Sequence, residues 1–473
     1  MLFLQSKRLA LPLDEVERLR LLDALAAKGF RPLARTTRRA AFRLLLKGLD
    51  EASLASASAG LERECVADGP FTPGDLFCQS DCVLTLVFGD GAAGGVEASV
   101  VYDIETAEPL SKLERLCAEV VGAAAEIRAK GREVEKALEP PGWEARAGRS
   151  SRGLARFIAV QPLEVVRAGA ALRGGRQLAR ASELLEEGSV RQFLRRVQEM
   201  RREGFTPRRL LKEAGALSGV SLEKMVEAGL LERELRVSCR KSGHALFDLP
   251  SPDSLAAVTI SKAKCSQCAA PVADEVVEET VNPTRLAVSL LEDGGWLTNR
   301  VYKIIRSLGV PDSEIATGPV SPHGESSLAV DVCGSSFLFV TKDGDLTPAF
   351  CRRAAETIEE TEADHVVVVL TGAVEEEGRL RLYEFAWRRA RAGHDLATTV
   401  VEGLGGAREQ FERAFRGAAR RELSRALHTL DRALGFSATA FVLDWFRLAK
   451  AARASEGEAA AAPFVELDHK VAS

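Results

Sequence analysis

Four residues near the middle of the chain have the side chains and the spacing that a bound metal ion requires. Cys239 and His244 lie close together, and Cys265 and Cys268 follow after twenty further residues. Two thiolates three residues apart can bind one tetrahedral ion while backbone N–H groups turn toward the sulfurs. A catalytic zinc would need an open coordination position and a base, so the simplest role for this set is structural.

The same residues resemble the two knuckles of a zinc ribbon, each of which reads Cys-x-x-Cys-Gly. The second knuckle is complete at Cys265 and Cys268, whereas the first has Ser242 where its second cysteine is expected. We therefore expect His244 to be the fourth ligand of a Cys3His zinc site. Two alternatives stay open: a ribbon that has lost its metal and survives on packing, and cysteines unrelated to any metal.

Positive charge is concentrated before this ribbon-like stretch. The whole chain has 473 residues, with 64 Lys and Arg against 68 Asp and Glu. Residues 144–212 nevertheless hold sixteen Lys and Arg against seven Glu. Such a segment is compatible with a polyanion contact, or with solvated helices that have basic outer faces. The candidate nucleic-acid-binding residues are Arg195, Arg196, Arg201, Arg202, Arg208, Arg209 and Lys212.

The end of the basic segment has the pattern of a helix-turn-helix followed by a wing. A helix over 207–214, a turn, a helix over 222–228 that Ser221 can cap, and a strand from Leu230 onward resemble a winged-helix domain. The second helix has two Glu, one Lys and no Arg or Asn, a poor composition for reading bases in a groove. We expect sequence-independent phosphate contact, or protein–protein packing.

The next part of the chain predicts a helix over 296–308, strands over 327–332 and 337–342, a helix over 346–361 and a strand over 366–370. This order resembles the core of the restriction-endonuclease-like fold, the family of PD-(D/E)xK nucleases. The resemblance implies an Asp on the first strand, then a carboxylate, one residue and a Lys on the second, with the carboxylates holding Mg²⁺.

In this chain Asp331 matches the first position and Lys342 the last, whereas Val340 stands where the second carboxylate is expected. Glu325, which precedes the first strand, is the best substitute, ahead of Asp343 and Asp345. Mg²⁺ is therefore expected only if the site is active. Without a metal, we expect Asp331 and Lys342 to form an ion pair.

These observations predict a multidomain α+β protein with some α/β character. The expected divisions are an N-terminal α+β domain (1–142), basic and winged-helix-like helices (143–238), a zinc-ribbon-like module (239–283), a degenerate restriction-endonuclease-like domain (284–400), a C-terminal helical hairpin (401–456) packed on that domain, and a mobile tail (457–473). No apolar run approaches the ~20 residues that span a bilayer. We expect a cytoplasmic chain that does not bind membranes.

The function that fits best is a nucleic-acid-binding or nucleoprotein-binding accessory protein whose nuclease-like domain does not cleave, in DNA processing or defence against foreign DNA. One alternative is an active Mg²⁺-dependent nuclease that uses Asp331, Lys342 and Glu325. The other is a scaffold subunit that binds only protein. The oligomeric state is left open by the sequence.

Overall fold

A computed structural model describes most of the chain, and every structural statement below concerns the residues it describes. They are residues 2–37, 40, 50, 53, 56–57, 73–89, 95–131, 143–145, 149–160, 175–202, 221–241, 245–249, 253–254, 264–269, 271, 276–292, 294–318, 324–394, 396–434 and 437–448. The protein is a mixed α+β structure with three sheets. It divides into two compact units, of which the first comprises Met1–Gly148, Val332–Ser335 and Arg413–Ser473, and the second Arg149–Asp331 and Ser336–Glu412.

The first unit begins with an antiparallel sheet. Its elements are β1 (Leu2–Leu9), α1 (Glu15–Ala27), β2 (Gly74–Cys78), β3 (Cys82–Phe88), β4 (Val96–Asp103), α2 (Pro109–Gly131) and β5 (Glu144–Ala145). The strand order is β2-β3-β4-β1-β5. The strands β3 and β4 form an antiparallel hairpin, with Leu84 opposite Val100. Apolar residues of α1 and α2 pack on one face of this sheet, where Phe77 and Leu116 are fully buried.

A capping box starts α1. Asp14 accepts a hydrogen bond from the backbone N–H of Glu17, and the Glu17 carboxylate accepts one from the N–H of Asp14. The two bonds satisfy N–H groups that have no partner within the helix. Nearby, the buried carboxylate of Asp75 accepts hydrogen bonds from the N–H groups of Ala34 and Arg35. Asp75 therefore has a structural role in this unit.

The basic helices and a small sheet follow in the second unit. Their elements are α3 (Arg149–Val160), α4 (Arg176–Leu184), α5 (Gly188–Arg202), α6 (Leu222–Glu227), β6 (Leu231–Ser238), β7 (Ala245–Leu249) and β8 (Val276–Pro283). Ser221 caps α6 by accepting a hydrogen bond from Lys224 N–H. The predicted helix over 207–214 lies outside the described residues. Since β8 pairs along the whole of β6, the expected boundary at residue 239 falls inside one sheet.

The rest of the second unit holds a mixed sheet in the order β13-β12-β11-β10-β9. Its elements are α7 (Arg285–Glu292), α8 (Gly295–Ser307), β9 (Ile315–Thr317), β10 (Glu325–Val332), β11 (Ser335–Lys342), α9 (Pro348–Thr361), β12 (His365–Leu370), α10 (Glu376–Arg391) and β13 (Ala397–Glu402). All five elements that the sequence predicted here are present, each with bounds that differ by a few residues. The sheet is antiparallel at β9–β10 and parallel at β11–β12–β13.

A two-residue turn joins β10 to β11, and it fixes which residues lie beside each other. Cys333 and Gly334 both have positive φ, 55° and 88°. Positive φ at both central residues is the signature of the tight hairpin turn that suits the twist of antiparallel strands. Residues near the turn therefore pair with each other, and the start of β10 lies beside the end of β11.

The C-terminal helices belong mainly to the first unit. They are α11 (Ala407–Leu434) and α12 (residues 438–448). Leu423, Leu427 and Leu430 of α11 are buried in one cluster with Val83 and Val101 of the antiparallel sheet. These leucines form an apolar face of α11. The expectation that these helices pack on the predicted restriction-endonuclease-like domain holds at the start of α11, where Phe411 packs edge to face on Phe339 of β11. It is wrong for the later leucines, whose apolar partners lie on the first sheet.

Candidate metal centre and the Glu325–Lys342 cluster

Three of the four predicted metal ligands come together. The ligand sulfurs of Cys239, Cys265 and Cys268 all lie within 4.8 Å of one another, and those of Cys239 and Cys268 are 3.3 Å apart. Cys239 directly follows β6, and Cys265 starts the turn that contains Cys268. His244 lies outside the described residues. The three thiols form a group that could hold a metal ion, and no other such group is present in the described ranges.

The turn that contains Cys265 is folded as a metal-binding knuckle would be. The backbone N–H groups of Cys268 and Gln267 point at the Cys265 sulfur and lower its pKa to about 7. A lowered pKa favours the thiolate, which is the form that binds metals. The same turn is closed by a hydrogen bond of 2.9 Å from Ala269 N–H to the carbonyl of Cys265. The backbone N–H groups, together with the Cys239 and Cys268 side chains, therefore prepare this sulfur to be an anionic ligand.

Cys78 and Cys82 do not form a second centre. Asp81, which lies between them, holds the ammonium group of Lys112 at 2.6 Å. Burial raises the pKa of the Cys82 thiol to about 11, which opposes thiolate formation. Both observations indicate a structural role for this pair.

Glu325 and Lys342 lie side by side in the mixed sheet of the second unit. The Lys342 Nζ is 3.5 Å from Oε1 of Glu325, and both side chains are largely buried. Arg353, on α9, holds the same carboxylate with two hydrogen bonds, one of 2.8 Å from Nε and a second from Nη2. Lys342 Nζ also lies 5.1 Å from the ring centre of Phe350. One carboxylate thus lies between two cations.

Asp331 is not part of this cluster, and the expected Asp331–Lys342 ion pair is wrong. Asp331 lies next to the turn that ends β10, six residues beyond Glu325. At about 3.3 Å per residue, these two positions are ~20 Å apart along the strand. Because the strands are antiparallel, Lys342 lies at the Glu325 end. The prediction was wrong because the sequence indicates that Asp331 and Lys342 lie on adjacent strands but does not fix which ends of those strands meet.

The other candidate carboxylates are engaged elsewhere. Asp343 Oδ2 accepts hydrogen bonds from Arg195 at 2.7 Å and from the Trp296 indole N–H at 3.4 Å, while Oδ1 accepts one of 2.6 Å from the Thr371 hydroxyl. Asp345 accepts a hydrogen bond of 2.6 Å from the backbone N–H of Ala373. Neither carboxylate is therefore a substitute for the one missing at Val340.

Val340 lies on the same face of β11 as Lys342, because side chains two residues apart on a strand share a face. It is 5% exposed and packs in an apolar cluster with Leu346 and Phe350. The position at which the PD-(D/E)xK pattern expects a second carboxylate is therefore part of the core in this chain.

Arg353 is the member of the cluster that sequence reasoning missed. The available signal is its spacing: Phe350 and Arg353 are three residues apart and share a face of α9. The raised pKa of Arg353 follows chiefly from its hydrogen bond to Glu325. Arg353 lies about one turn after the buried Phe350. That position in the sequence could have predicted a basic partner for the Glu325 carboxylate.

The predicted nucleic-acid-binding arginines have mixed surroundings. Arg195 and Arg196 are exposed on α5, but Arg195 pairs with Asp343. The neighbouring Arg191, largely buried, stacks on the Trp296 ring with its Cζ 4.6 Å from the ring centre. The side chains of Arg201 and Arg202, and all of Arg208, Arg209 and Lys212, lie outside the described residues. Part of the positive charge on α5 therefore has a structural role within the second unit.

Comparison of the chain with protein-family models, curated proteins and solved structures returns no match. None of the helices in the described ranges combines the length and the apolar character that crossing a bilayer requires.

Proposed function

We propose that this chain is a nucleic-acid-binding accessory protein in which a nuclease-like domain has kept its fold and lost its metal chemistry. The observation that carries the proposal is the Glu325 carboxylate, which is bound by Arg353 and lies beside Lys342. A hard divalent cation needs several oxygen ligands with uncompensated negative charge. Here the two neighbouring cations neutralise the single carboxylate, and Val340 adds no oxygen.

The order of elements supports the nuclease-like assignment. The helix α8, the hairpin of β10 and β11, the helix α9 and the parallel strand β12 follow the order of a restriction-endonuclease-like core. A role in DNA processing or defence against foreign DNA rests on that resemblance alone.

The binding part of the proposal is supported by exposed arginines on two helices of the basic segment, α4 and α5. Arg176 and Arg180 on α4, and Arg195 and Arg196 on α5, are exposed. Contacts from such arginines to phosphates would be independent of sequence, and the affinity would fall steeply with salt because counterions are released.

We further propose that the three-cysteine group holds Zn²⁺ with a structural role. Thiolates are soft ligands that zinc accepts in tetrahedral sites, and His244 would complete a Cys3His set. The ion would tie the segment after β6 to the turn before β8.

A second candidate function is a Mg²⁺-dependent nuclease, and one observation favours it. Glu325 and Lys342 lie together, as that mechanism requires of one metal ligand and the catalytic lysine. Release of Arg353 from Glu325 would then have to accompany metal binding.

One set of assays separates the accessory protein, the nuclease and the protein-binding scaffold. Duplex and single-stranded DNA and RNA are incubated with the full chain and Mg²⁺ or Mn²⁺, with Glu325→Ala and Lys342→Ala as matched variants. The accessory role predicts no cleavage by any of them. Cleavage by the native chain that both substitutions abolish would establish the nuclease.

Binding is measured in parallel at 50 and 200 mM salt. We expect the double reversal Arg176→Glu with Arg180→Glu, which changes two exposed arginines of α4, to weaken binding on all sequences and to lower the salt slope by about 2. The double reversal Arg413→Glu with Arg420→Glu, which changes two exposed arginines outside the basic segment, is the matched control. If the native chain binds no nucleic acid at low salt, the remaining candidate function is a scaffold subunit that binds only protein.

A further inference from the structure

Two sulfurs of the three-cysteine group are close enough to bond to each other. The Sγ atoms of Cys239 and Cys268 lie 3.3 Å apart, and both residues are free thiols. A disulfide holds its two sulfurs at about 2.05 Å. Small rotations about the side-chain bonds of both residues can bring the sulfurs this much closer without moving a strand.

The three cysteines differ in their access to solvent. Cys239 and Cys265 are buried, with 1% and 2% of their surface exposed, whereas Cys268 is exposed. A dissolved oxidant therefore reaches Cys268 first. Because Cys239 is shielded and its sulfur touches that of Cys268, it is placed to attack Cys268 after this first oxidation and so to resolve it as a disulfide.

The Cys265 sulfur is held by other partners. It accepts hydrogen bonds from the backbone N–H groups of Gln267 and Cys268, inside the turn that all three residues form. A bond between Cys265 and Cys268 would pull this sulfur away from its N–H donors. A bond between Cys239 and Cys268 leaves the donors in place, so the geometry favours that pair.

A Cys239–Cys268 bond would join two separate segments of the chain. Cys239 directly follows β6, and Cys268 lies 29 residues later in the turn before β8. These are the same segments that the proposed zinc ion would tie together. The small sheet of β6, β7 and β8 would therefore be cross-linked in the oxidised state as well as in the metal-bound state.

We propose that Cys239 and Cys268 are a redox site, which a peroxide converts reversibly to a disulfide, and that this disulfide and a bound metal ion exclude each other. The exclusion rests on the proposed zinc site, because the disulfide would remove two of its three thiolates. The disulfide itself depends neither on zinc nor on nucleic-acid binding.

The oxidation balances with hydrogen peroxide as the oxidant. The Cys268 thiolate attacks one peroxide oxygen, so that an S–O bond forms, the O–O bond breaks and hydroxide leaves. The Cys239 thiolate then attacks the sulfur of this sulfenic acid, so that the S–S bond forms, the S–O bond breaks and a second hydroxide leaves. The two thiol protons convert both hydroxides to water, and the two electrons lost by the sulfurs reduce the peroxide.

The test is a peptide map of the full chain after treatment with about 1 mM hydrogen peroxide and alkylation of the remaining thiols. In chelator-treated protein we expect a peptide that links Cys239 to Cys268, and we expect dithiothreitol to return both residues to thiols. In protein loaded with Zn²⁺ alone, the link should form about tenfold more slowly or less, because the metal occupies both thiolates. Elemental analysis of the loaded sample shows whether zinc is bound, so a failed zinc site is distinguished from a failed disulfide.

Three substitutions identify the reacting sulfurs. Cys268→Ser should abolish the link and leave Cys239 as a thiol, whereas Cys265→Ser should still give the Cys239–Cys268 link. Cys78→Ser, which changes an exposed cysteine outside the group, is the matched control and should oxidise as the native chain does.

The native chain alone can overturn the proposal, so the test does not depend on whether the variants fold. No linked peptide, a link between Cys265 and Cys268 instead, or a link only between two separate chains would each contradict the disulfide. Equally fast oxidation with bound zinc and without it would contradict the exclusion.

Discussion

The Nζ of Lys342 lies 3.5 Å from Oε1 of Glu325, so the last residue of β11 and the first residue of β10 form an ion pair. The tight turn at Cys333 and Gly334 explains this partner, because it sets the antiparallel pairing of the two strands. Arg353 binds the same carboxylate from α9. Three segments that are separated in the sequence therefore meet at one buried charge.

This cluster predicts that Glu325→Gln destabilises the protein. The substitution keeps the shape of the side chain and leaves Lys342 and Arg353 without their shared anion. Removing one partner of a buried pair costs about 3–5 kcal/mol, and we expect about 2–3 kcal/mol here because Arg353 is 35% exposed. Chemical denaturation of the full chain measures the change. Glu325→Gln combined with Lys342→Met should cost less than the two single changes added together.

Glu377→Gln is the control for that prediction, since it removes an exposed ion pair with Arg381 and should cost only about 0.3–0.5 kcal/mol. If Glu325→Gln and Glu377→Gln lower the free energy of unfolding equally, the buried cluster around Glu325 stabilises the protein no more than an exposed ion pair does. Loss of a cleavage activity without loss of stability would instead point to a working site.

A second prediction concerns the three-cysteine group. Protein purified without chelator should contain about one zinc ion per chain, and Cys268→Ser should release it because a hydroxyl is a much poorer zinc ligand than a thiolate. Elemental analysis reports the stoichiometry, and hydrogen exchange over β6 and β8 reports the loosened segment. Cys351→Ser changes a cysteine outside the group and should leave the zinc content as it is. Metal-free native protein would contradict the assignment.

The contacts of Asp343 give a third prediction. Asp343→Ala removes the anion that faces Arg191, whose side chain is 14% exposed, and it also strands the Thr371 hydroxyl. We expect a loss of about 2–4 kcal/mol in the free energy of unfolding. Arg195→Ala removes only a half-exposed partner of the same carboxylate and should cost no more than about 1 kcal/mol. If Arg195→Ala lowers the free energy of unfolding as much as Asp343→Ala does, the exposed Arg195–Asp343 pair contributes more to stability than we expect.

Buried thiols predict how stability changes with alkaline pH. Burial raises the pKa of Cys117, and likewise that of Cys351, to about 11. In the unfolded chain a thiol ionises near pH 8.5, so between about pH 8.5 and 11 the folded state retains protons that the unfolded state loses. Stability must therefore fall as pH rises through this window, with a slope that approaches about 1.4 kcal/mol per pH unit for each thiol.

Cys117→Ala should flatten that slope relative to the native chain, even though it also lowers stability at neutral pH by opening a small cavity. Denaturation in a reducing buffer at pH 7.5, 9 and 10 gives both slopes. Parallel curves for the two proteins would show that Cys117 ionises equally easily in the folded and unfolded states.

Local elements were accessible from the sequence because their causes are local. The capping box at Asp14, the apolar, β-branched strands around Leu84 and Val100 and the cap at Ser221 each depend on residues within a few positions. The same holds for the Cys265–Cys268 turn, whose backbone N–H groups point at their own neighbour. Short-range hydrogen bonds and side-chain periodicity leave a direct trace in the order of residues.

The partners of the buried charges were decided only by the tertiary structure. Periodicity assigned Asp331 and Lys342 to adjacent strands, but which ends of those strands meet depends on the direction of pairing, and that placed Lys342 beside Glu325. The packing of Leu423 and Leu427 on the N-terminal sheet is likewise long-range. An apolar face predicts that a helix will be buried, but it does not predict which surface the helix will pack against. The hydrophobic effect has no direction, so any apolar surface in the chain is a possible partner.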